Sequence, residues 1–583
     1  MPEHDAATQV AALTAGYVFE GPTLHLGAAL VDGALYPEAQ VRLPLSMMNR
    51  HGLIAGATGT GKTITLQVMA EQLSAHGVPV FLSDIKGDLT GLSAPGTASD
   101  RLTKRTSSVG QDWTPQAYPV EFLSLGGDGQ GVPVRATISS FGPLLLSRVM
   151  DLNETQESSL QLVFHYADKN DLELYNLADL RAVISFLTSD EGKDALENLG
   201  GLSKATAGVI LRGLVTLETQ GMDAFFGEPE FDTADLLRVG ADGRGIITAL
   251  ELVTVQQKPR LFSTFLMWLL ADLFAELPEV GDLDKPRLVF FLDEAHLLFT
   301  GSSKAFRESI QATVRLIRSK GVGIFFITQT PKDVPGEVLG QLANRVQHAL
   351  RAFTPDDAKA LRATVSTFPM SPYDLEEVLT SAGIGEAVVT VMNENGAPTP
   401  VAWTRMRSPE STMGRAPGTT VEGAVASSEL LPRYRDPVDS HSAFEKLSRL
   451  PVPGAGPLSS GEDRGTSEDS RTPDVVKGGM SKEDRDAEAR RIEEEILGTP
   501  SRRTHEERRR ASEEVPPRDD HRQAPPSRTA PRPVEGYEQP RGQSQRGPSK
   551  DEMTDLALKA AGVIGKELVR GLFGTKHRKR RWY

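Results

Sequence analysis

The residues with the most evident chemistry stand together at Gly56-Ala57-Thr58-Gly59-Thr60-Gly61-Lys62-Thr63, which fits the phosphate-loop pattern G-x-x-x-x-G-K-[ST] at every fixed position. A glycine-rich turn lets backbone N–H groups point inward at a polyphosphate, and the positive end of a following helix adds to the attraction. In this pattern Gly56, Gly59, Thr60 and Gly61 shape the cradle. Lys62 reaches the β and γ phosphates, and the Thr63 hydroxyl holds Mg²⁺. The flanks suit the motif. Gly52 to Ala55 reads as a short buried strand and Thr63 to His76 as a helix. The chain is expected to bind a nucleoside triphosphate with Mg²⁺.

A second group follows the apolar run Leu288 to Leu292, which ends in Asp293-Glu294. Phosphate-loop enzymes hold Mg²⁺ with an acid at the tip of such a strand. Asp293 is the expected metal ligand, directly or through water, and Glu294 the expected general base for the attacking water. The strand Ile324 to Ile327 leads into Thr328-Gln329-Thr330-Pro331. Gln329 at its tip is either a sensor of the γ phosphate or a plain strand cap. Between these strands, Ser303 to Ser319 reads as a helix with Phe306, Ile310, Thr313, Val314 and Ile317 on its buried face. Arg307, Gln311, Arg315 and Arg318 fall on the other face, which is either simply solvated or supplies an arginine finger to a neighbouring subunit. Asp84 and Asp88, after the strand Val78 to Leu82, either support the metal's water shell or close a turn.

These groups need a scaffold that brings several strand tips to one edge. Apolar runs of strand length alternate with helical segments from residue 45 to 405, so the fold class is α/β, a parallel β-sheet. Val346 to Ala352 is a further strand candidate, and residues 119–138 are expected to add strands around the turn Gly126-Gly127-Asp128-Gly129. A helical insertion is expected at about 139–235, with Leu160, Val163, Phe164 and Ala167 on its apolar face. Residues 1–44 read as a small N-terminal β region with turns at Gly21-Pro22 and Asp32-Gly33.

Composition sets further bounds. The 583 residues carry a net charge of −14, divided unevenly between −17 over residues 1–405 and +3 over the remainder. An acidic body argues against a surface that coats DNA broadly, though a narrow basic channel stays compatible with it. There is no cysteine, which excludes disulfides, thiolate zinc sites and thiol chemistry. No signal peptide is evident, and Leu261 to Leu277 is too short and too interrupted to span a bilayer, so a cytoplasmic protein is expected. Residues 406–550, rich in Pro, Gly, Ser, Arg and Glu, read as a disordered charged linker with one charged helix around Ser481 to Leu497. Residues 551–583 read as an amphipathic helix, Met553 to Leu572, ending in a basic cluster from Lys576 to Arg581. That end suits docking on the acidic body, a nucleic acid or an anionic membrane.

Taken with their flanks, the motifs resemble the HerA/FtsK/VirB4 group of ring ATPases, and more closely the HerA-like helicase proteins of the DUF853 (YjgR-type) family. The resemblance rests on Asn49 to Gly56 leading into the phosphate loop, on Asp84-Ile85-Lys86-Gly87-Asp88-Leu89, and on Leu152 to Gln156 and Phe225 to Pro229. It also rests on Leu277 to Asp282, Asp293 to Phe299, Arg318 to Gly323 and Thr328 to Pro331. It implies a RecA-like parallel β-sheet and hexameric rings in which ATP hydrolysis with Mg²⁺ moves a polymer, usually duplex DNA, through a pore. It further implies Gln329 as the sensor and Arg318 as the finger supplied to a neighbour. Two functions from different classes follow. One is a DNA translocase or helicase. The other is an ATP-dependent switch or assembly ATPase that recruits partners through its tail and moves no nucleic acid.

Overall fold

The computed structural model describes residues 6–448, apart from 126–128, 256–257, 282 and 301–303. The first strands are β1 (Thr23–Val31), β2 (Ala34–Pro44), β3 (Gly52–Ala55), β4 (Val80–Asp84), β5 (Val120–Leu125) and β6 (Val132–Val134). Then come β7 (Ile247–Glu251), β8 (Leu288–Leu292), β9 (Val322–Thr328), β10 (Asn344–His348), β11 (Glu386–Thr390) and β12 (Ala402–Met406). All twelve join one sheet in the order β2-β1-β12-β11-β10-β3-β9-β8-β4-β7-β5-β6. From β10 to β6 every pairing is parallel, and from β10 back to β2 every pairing is antiparallel. The parallel part is the expected RecA-like α/β sheet.

The central strands are apolar along their whole length because helices cover both faces. Side chains alternate across the sheet. Leu53, Phe81, Phe290, Leu292, Ile324 and Phe326 point into one core. Ile54, Val80, Leu82, Val289, Phe291, Phe325 and Ile327 point into the other. Burying each such side chain stabilises the fold by about 1.5–3 kcal/mol. The helix Lys62–Ala75 seals the second core with Leu66, Met69 and Leu73.

The first core takes the helices Ile138–Val149, Glu154–Lys169, Leu177–Thr188 and Lys204–Thr219, which occupy the region read as a helical insertion. Glu154–Lys169 starts at a capping box between Asn153 and Gln156, which satisfies two N–H groups that a helix start otherwise leaves bare. It buries Leu160, Val163, Phe164 and Ala167. The helix Pro259–Glu276 is buried over most of its length, with Trp268 1% exposed. No helix among the described residues is long and apolar enough to cross a membrane.

Two boundaries differ from expectation. The N-terminal region opens with a helix, Ala6–Gly16, and is not a separate β preface: β1 pairs with β12 and so extends the main sheet. The β1–β2 hairpin does turn at Asp32-Gly33, both with positive φ (49° and 75°), as the right-handed twist of the strands requires. The second correction concerns residues 407–448, which the sequence assigned to the linker. They fold back over the body in helices Gly418–Ala426, Leu431–Tyr434 and Ala443–Ser448. Val421, Leu430, Leu431 and Tyr434 pack into the cores of the body, and polar groups of the body add to that hold. Glu71 accepts from the N–H groups of Glu410 (2.9 Å) and Ser411 (3.0 Å). The Gln67 amide donates to Ser411 Oγ at 2.6 Å. Tyr434 is fully buried, and its hydroxyl donates to Asp235 at 2.7 Å. The helix expected around Ser481 to Leu497, the rest of the linker, the amphipathic segment of 551–583 and Gly126 to Asp128 lie outside the described residues.

Candidate active site

Parallel strands collect their C-terminal ends on one edge, and the register fixes which residues meet there. Ala55 is level with Thr328 of β9 and Gln347 of β10, while Leu292 is level with Phe326. The phosphate loop leaves β3 at that edge, the acid pair leaves β8, and Gln329 follows β9. Strand β9 lies between the other two, so Gln329 stands between the loop and the acids in the order of strands.

The loop is clamped from both sides. Gly56 N donates to Thr328 O (3.2 Å), Ala57 N to Ala349 O (2.8 Å), and Gly385 N to Thr60 O (2.9 Å). Gly56 has φ 153°, and a Cβ there would stand 2.5 Å from His348 Cβ, so no other residue fits. Gly61, with φ 115°, passes close to Gly385 and precedes the helix that begins at Lys62. Gly59, with φ 78°, has open space around it, consistent with a face left free for a ligand. The Lys62 ammonium folds back on Gly56 O (2.7 Å) and Ala57 O (3.1 Å). Burial pushes its pKa down, and Glu294 and Asp293 partly oppose that. Thr63 is half-buried in the first turn of the helix.

Asp293 is 3% exposed. Its N–H donates to Ser83 Oγ (2.9 Å), and its Oδ1 accepts from Glu294 N (2.9 Å). Its Oδ2 is buried with no hydrogen bond. An orphaned carboxylate oxygen is costly, and burial, then the neighbouring Glu294, raises the carboxyl to about 7. A hard cation would take that oxygen and remove both penalties, so Asp293 fits a Mg²⁺ ligand.

Glu294 adopts φ 46°, a left-handed conformation that costs a residue with a side chain about 1–2 kcal/mol. Its carboxylate is held by Lys86 Nζ at 2.6 Å on Oε1, and His296 Nδ1 lies 3.2 Å from Oε2. Asp84 resolves in favour of the turn. Its two oxygens accept from Gly87 N (2.6 Å) and Leu89 N (3.0 Å), and burial raises it to about 6. It shapes the loop that carries Lys86.

Gln329 is exposed just beyond β9, and Ala295 N donates to Ile327 O (2.9 Å), tying the acid pair to that strand. Arg318 is not brought to this edge. The helix Lys304–Ile317 buries Phe306, Ile310, Thr313, Val314 and Ile317, then delivers Arg318 just before β9 begins, at the opposite end of the sheet. It is exposed there, and so is Arg315.

Two residues of the site went unassigned in the sequence. Lys86 stands within the quoted Asp84 to Leu89 stretch, and a lone lysine in a strand-to-loop turn carried no signal for its acid partner. His348 closes the floor of the loop. Its Nε2 lies 2.9 Å from Thr65 Oγ1, and its Nδ1 lies 3.0 Å from Glu386 O. The carbonyl assigns the proton to Nδ1, and burial pushes the imidazole down to about 4, so it is neutral.

With this geometry in place, the family model described as helicase HerA-like C-terminal matches residues 31–495. The chain is 20% identical over 366 residues to a protein of Saccharolobus solfataricus named DNA double-strand break repair helicase HerA. That match covers 62% of this chain and 66% of the relative, just under two thirds of its length. A protein of the same name from Sulfurisphaera tokodaii is 22% identical over 377 residues, covering 64% of this chain and 67% of the relative. Among solved structures, the bacterial conjugative coupling protein TrwBdeltaN70 is 16% identical with a TM-score of 0.46, covering 70% of this chain and 94% of that one.

Proposed function

This chain belongs to the helicase HerA-like C-terminal family, and on that premise we propose that it is an ATP-hydrolysing ring motor of the cytoplasm that translocates duplex DNA. The observation that carries the ATPase reading is the meeting, on one sheet edge, of a clamped phosphate loop, an orphaned Asp293 oxygen and the Glu294 carboxylate. The names of the two relatives support DNA as the polymer.

In the proposed reaction Lys62 leaves the carbonyls of Gly56 and Ala57 and pairs with the β and γ phosphates. N–H groups of residues 59–63 hold the oxygens. Thr63 and Asp293 would hold Mg²⁺, which would supply positive charge against the phosphates. Glu294 accepts the proton of the water that attacks the γ phosphorus, and the bond to the β-phosphate oxygen breaks to leave ADP and phosphate. Gln329 contacts the γ phosphate or the water and passes its departure into β9. Arg318 acts on the nucleotide of a neighbouring subunit, which makes a ring, expected to be a hexamer, part of the mechanism.

The test is Mg²⁺-dependent ATP hydrolysis by the full chain and its Lys62→Ala variant. The parent should hydrolyse ATP, the variant should lose nearly all of that activity, and both should give the same circular dichroism. A variant as active as the parent would rule out this site.

A further inference from the structure

The site contains a cation that the proposed reaction does not use. Lys86 Nζ sits 2.6 Å from Glu294 Oε1, while Oε2 of the same carboxylate is buried with no hydrogen bond. The two partners are unequal. The Glu294 side chain is 9% exposed and that of Lys86 is 44% exposed. The lysine can swing into solvent at little cost, whereas the carboxylate cannot leave. The backbone beneath Lys86 is pinned at both ends of its turn. Asp84 accepts from Gly87 N and Leu89 N, and Arg415, from the folded-back segment, donates to Lys86 O at 2.5 Å. Glu294 in turn holds a left-handed backbone conformation.

We propose that Lys86 is a latch on Glu294: it occupies the carboxylate in the resting site, and hydrolysis proceeds from the fraction of molecules in which the pair is open. Lys86 is thus a positioning residue that sets the basal rate without touching the reacting atoms. This rests on Glu294 being the general base. An ion pair with one partner half in water is a weak latch, and its bias is about fivefold, the equilibrium equivalent of about 1 kcal/mol.

The experiment measures steady-state ATP hydrolysis by the full chain without any polymer, for the parent, Lys86→Met and Lys86→Arg, each also in a Glu294→Gln background. Lys86→Met keeps the apolar stem and removes the charge, so kcat should rise about fivefold with KM unchanged. Lys86→Arg keeps the charge and should stay near the parent. In the Glu294→Gln background the rise should vanish, because no base remains to be released. A Lys86→Met protein with unchanged or lower kcat overturns the latch, as does one whose KM climbs, which would make Lys86 a phosphate ligand. A rise that persists in the Glu294→Gln background overturns it as well. A parental rate in Glu294→Gln alone identifies the failure as that of the general-base assignment.

Discussion

Replacing Glu294 by Gln is expected to produce a protein that binds Mg-ATP and holds it, with hydrolysis slowed about 10²- to 10⁴-fold, the usual worth of a general base. The amide keeps the size and planarity of the carboxylate, so the packing around a 9% exposed side chain is preserved. What it loses is the capacity to take a proton. Asp293→Asn should behave differently. The orphaned Oδ2 is the atom that a cation needs, so this variant should require more Mg²⁺ as well as turning over slowly. Single-turnover hydrolysis and nucleotide retention across a Mg²⁺ titration separate the two. Equal, mild losses from both would reduce the acid pair to a strand end.

Arg318→Ala is expected to bind ATP almost normally and to hydrolyse it about 10³- to 10⁵-fold more slowly, as loss of an arginine finger does in related chemistry. Its place in the fold sharpens the expectation. Arg318 precedes β9 by one short turn, at the sheet end opposite the phosphate loop, so it cannot serve the loop of its own chain. An effect of that size must therefore cross a subunit boundary. Mixing inactive Arg318→Ala subunits with inactive Lys62→Ala subunits should restore part of the activity, because some boundaries then pair an intact finger with an intact loop. Arg307→Ala, near the start of the same helix, is the control and should change little. No recovery after proven co-assembly would leave Arg318 a structural residue and Arg315 the next candidate.

Much of this site was legible because parallel strands and phosphate loops leave strong local signals. The runs 288–292 and 324–327 were apolar throughout because the sheet is covered on both faces, and the buried face of 304–317 followed from its spacing. The relations between elements were not local. Nothing in the letters places β9 between β3 and β8, yet that order sets Gln329 between the loop and the acid pair. Lys86 escaped for the same reason, since its partner is more than two hundred positions away. The folded segment 407–448 escaped because its composition is that of a linker. What orders it is the packing of a few residues such as Leu430, Leu431 and Tyr434 into the core, together with acceptors and donors on the body, Glu71, Gln67 and Asp235 among them. Composition reports apolar burial, and it does not report polar satisfaction across such distances.

The central claim, a DNA motor, is tested most directly by one rate. Hydrolysis of ATP by the purified full chain, taken from the peak whose native mass has been measured, is compared with and without duplex DNA. A six-subunit particle whose turnover rises on adding duplex is the predicted result. A monomer or dimer whose rate ignores DNA would contradict it and leave the ATP-dependent switch as the reading of this site.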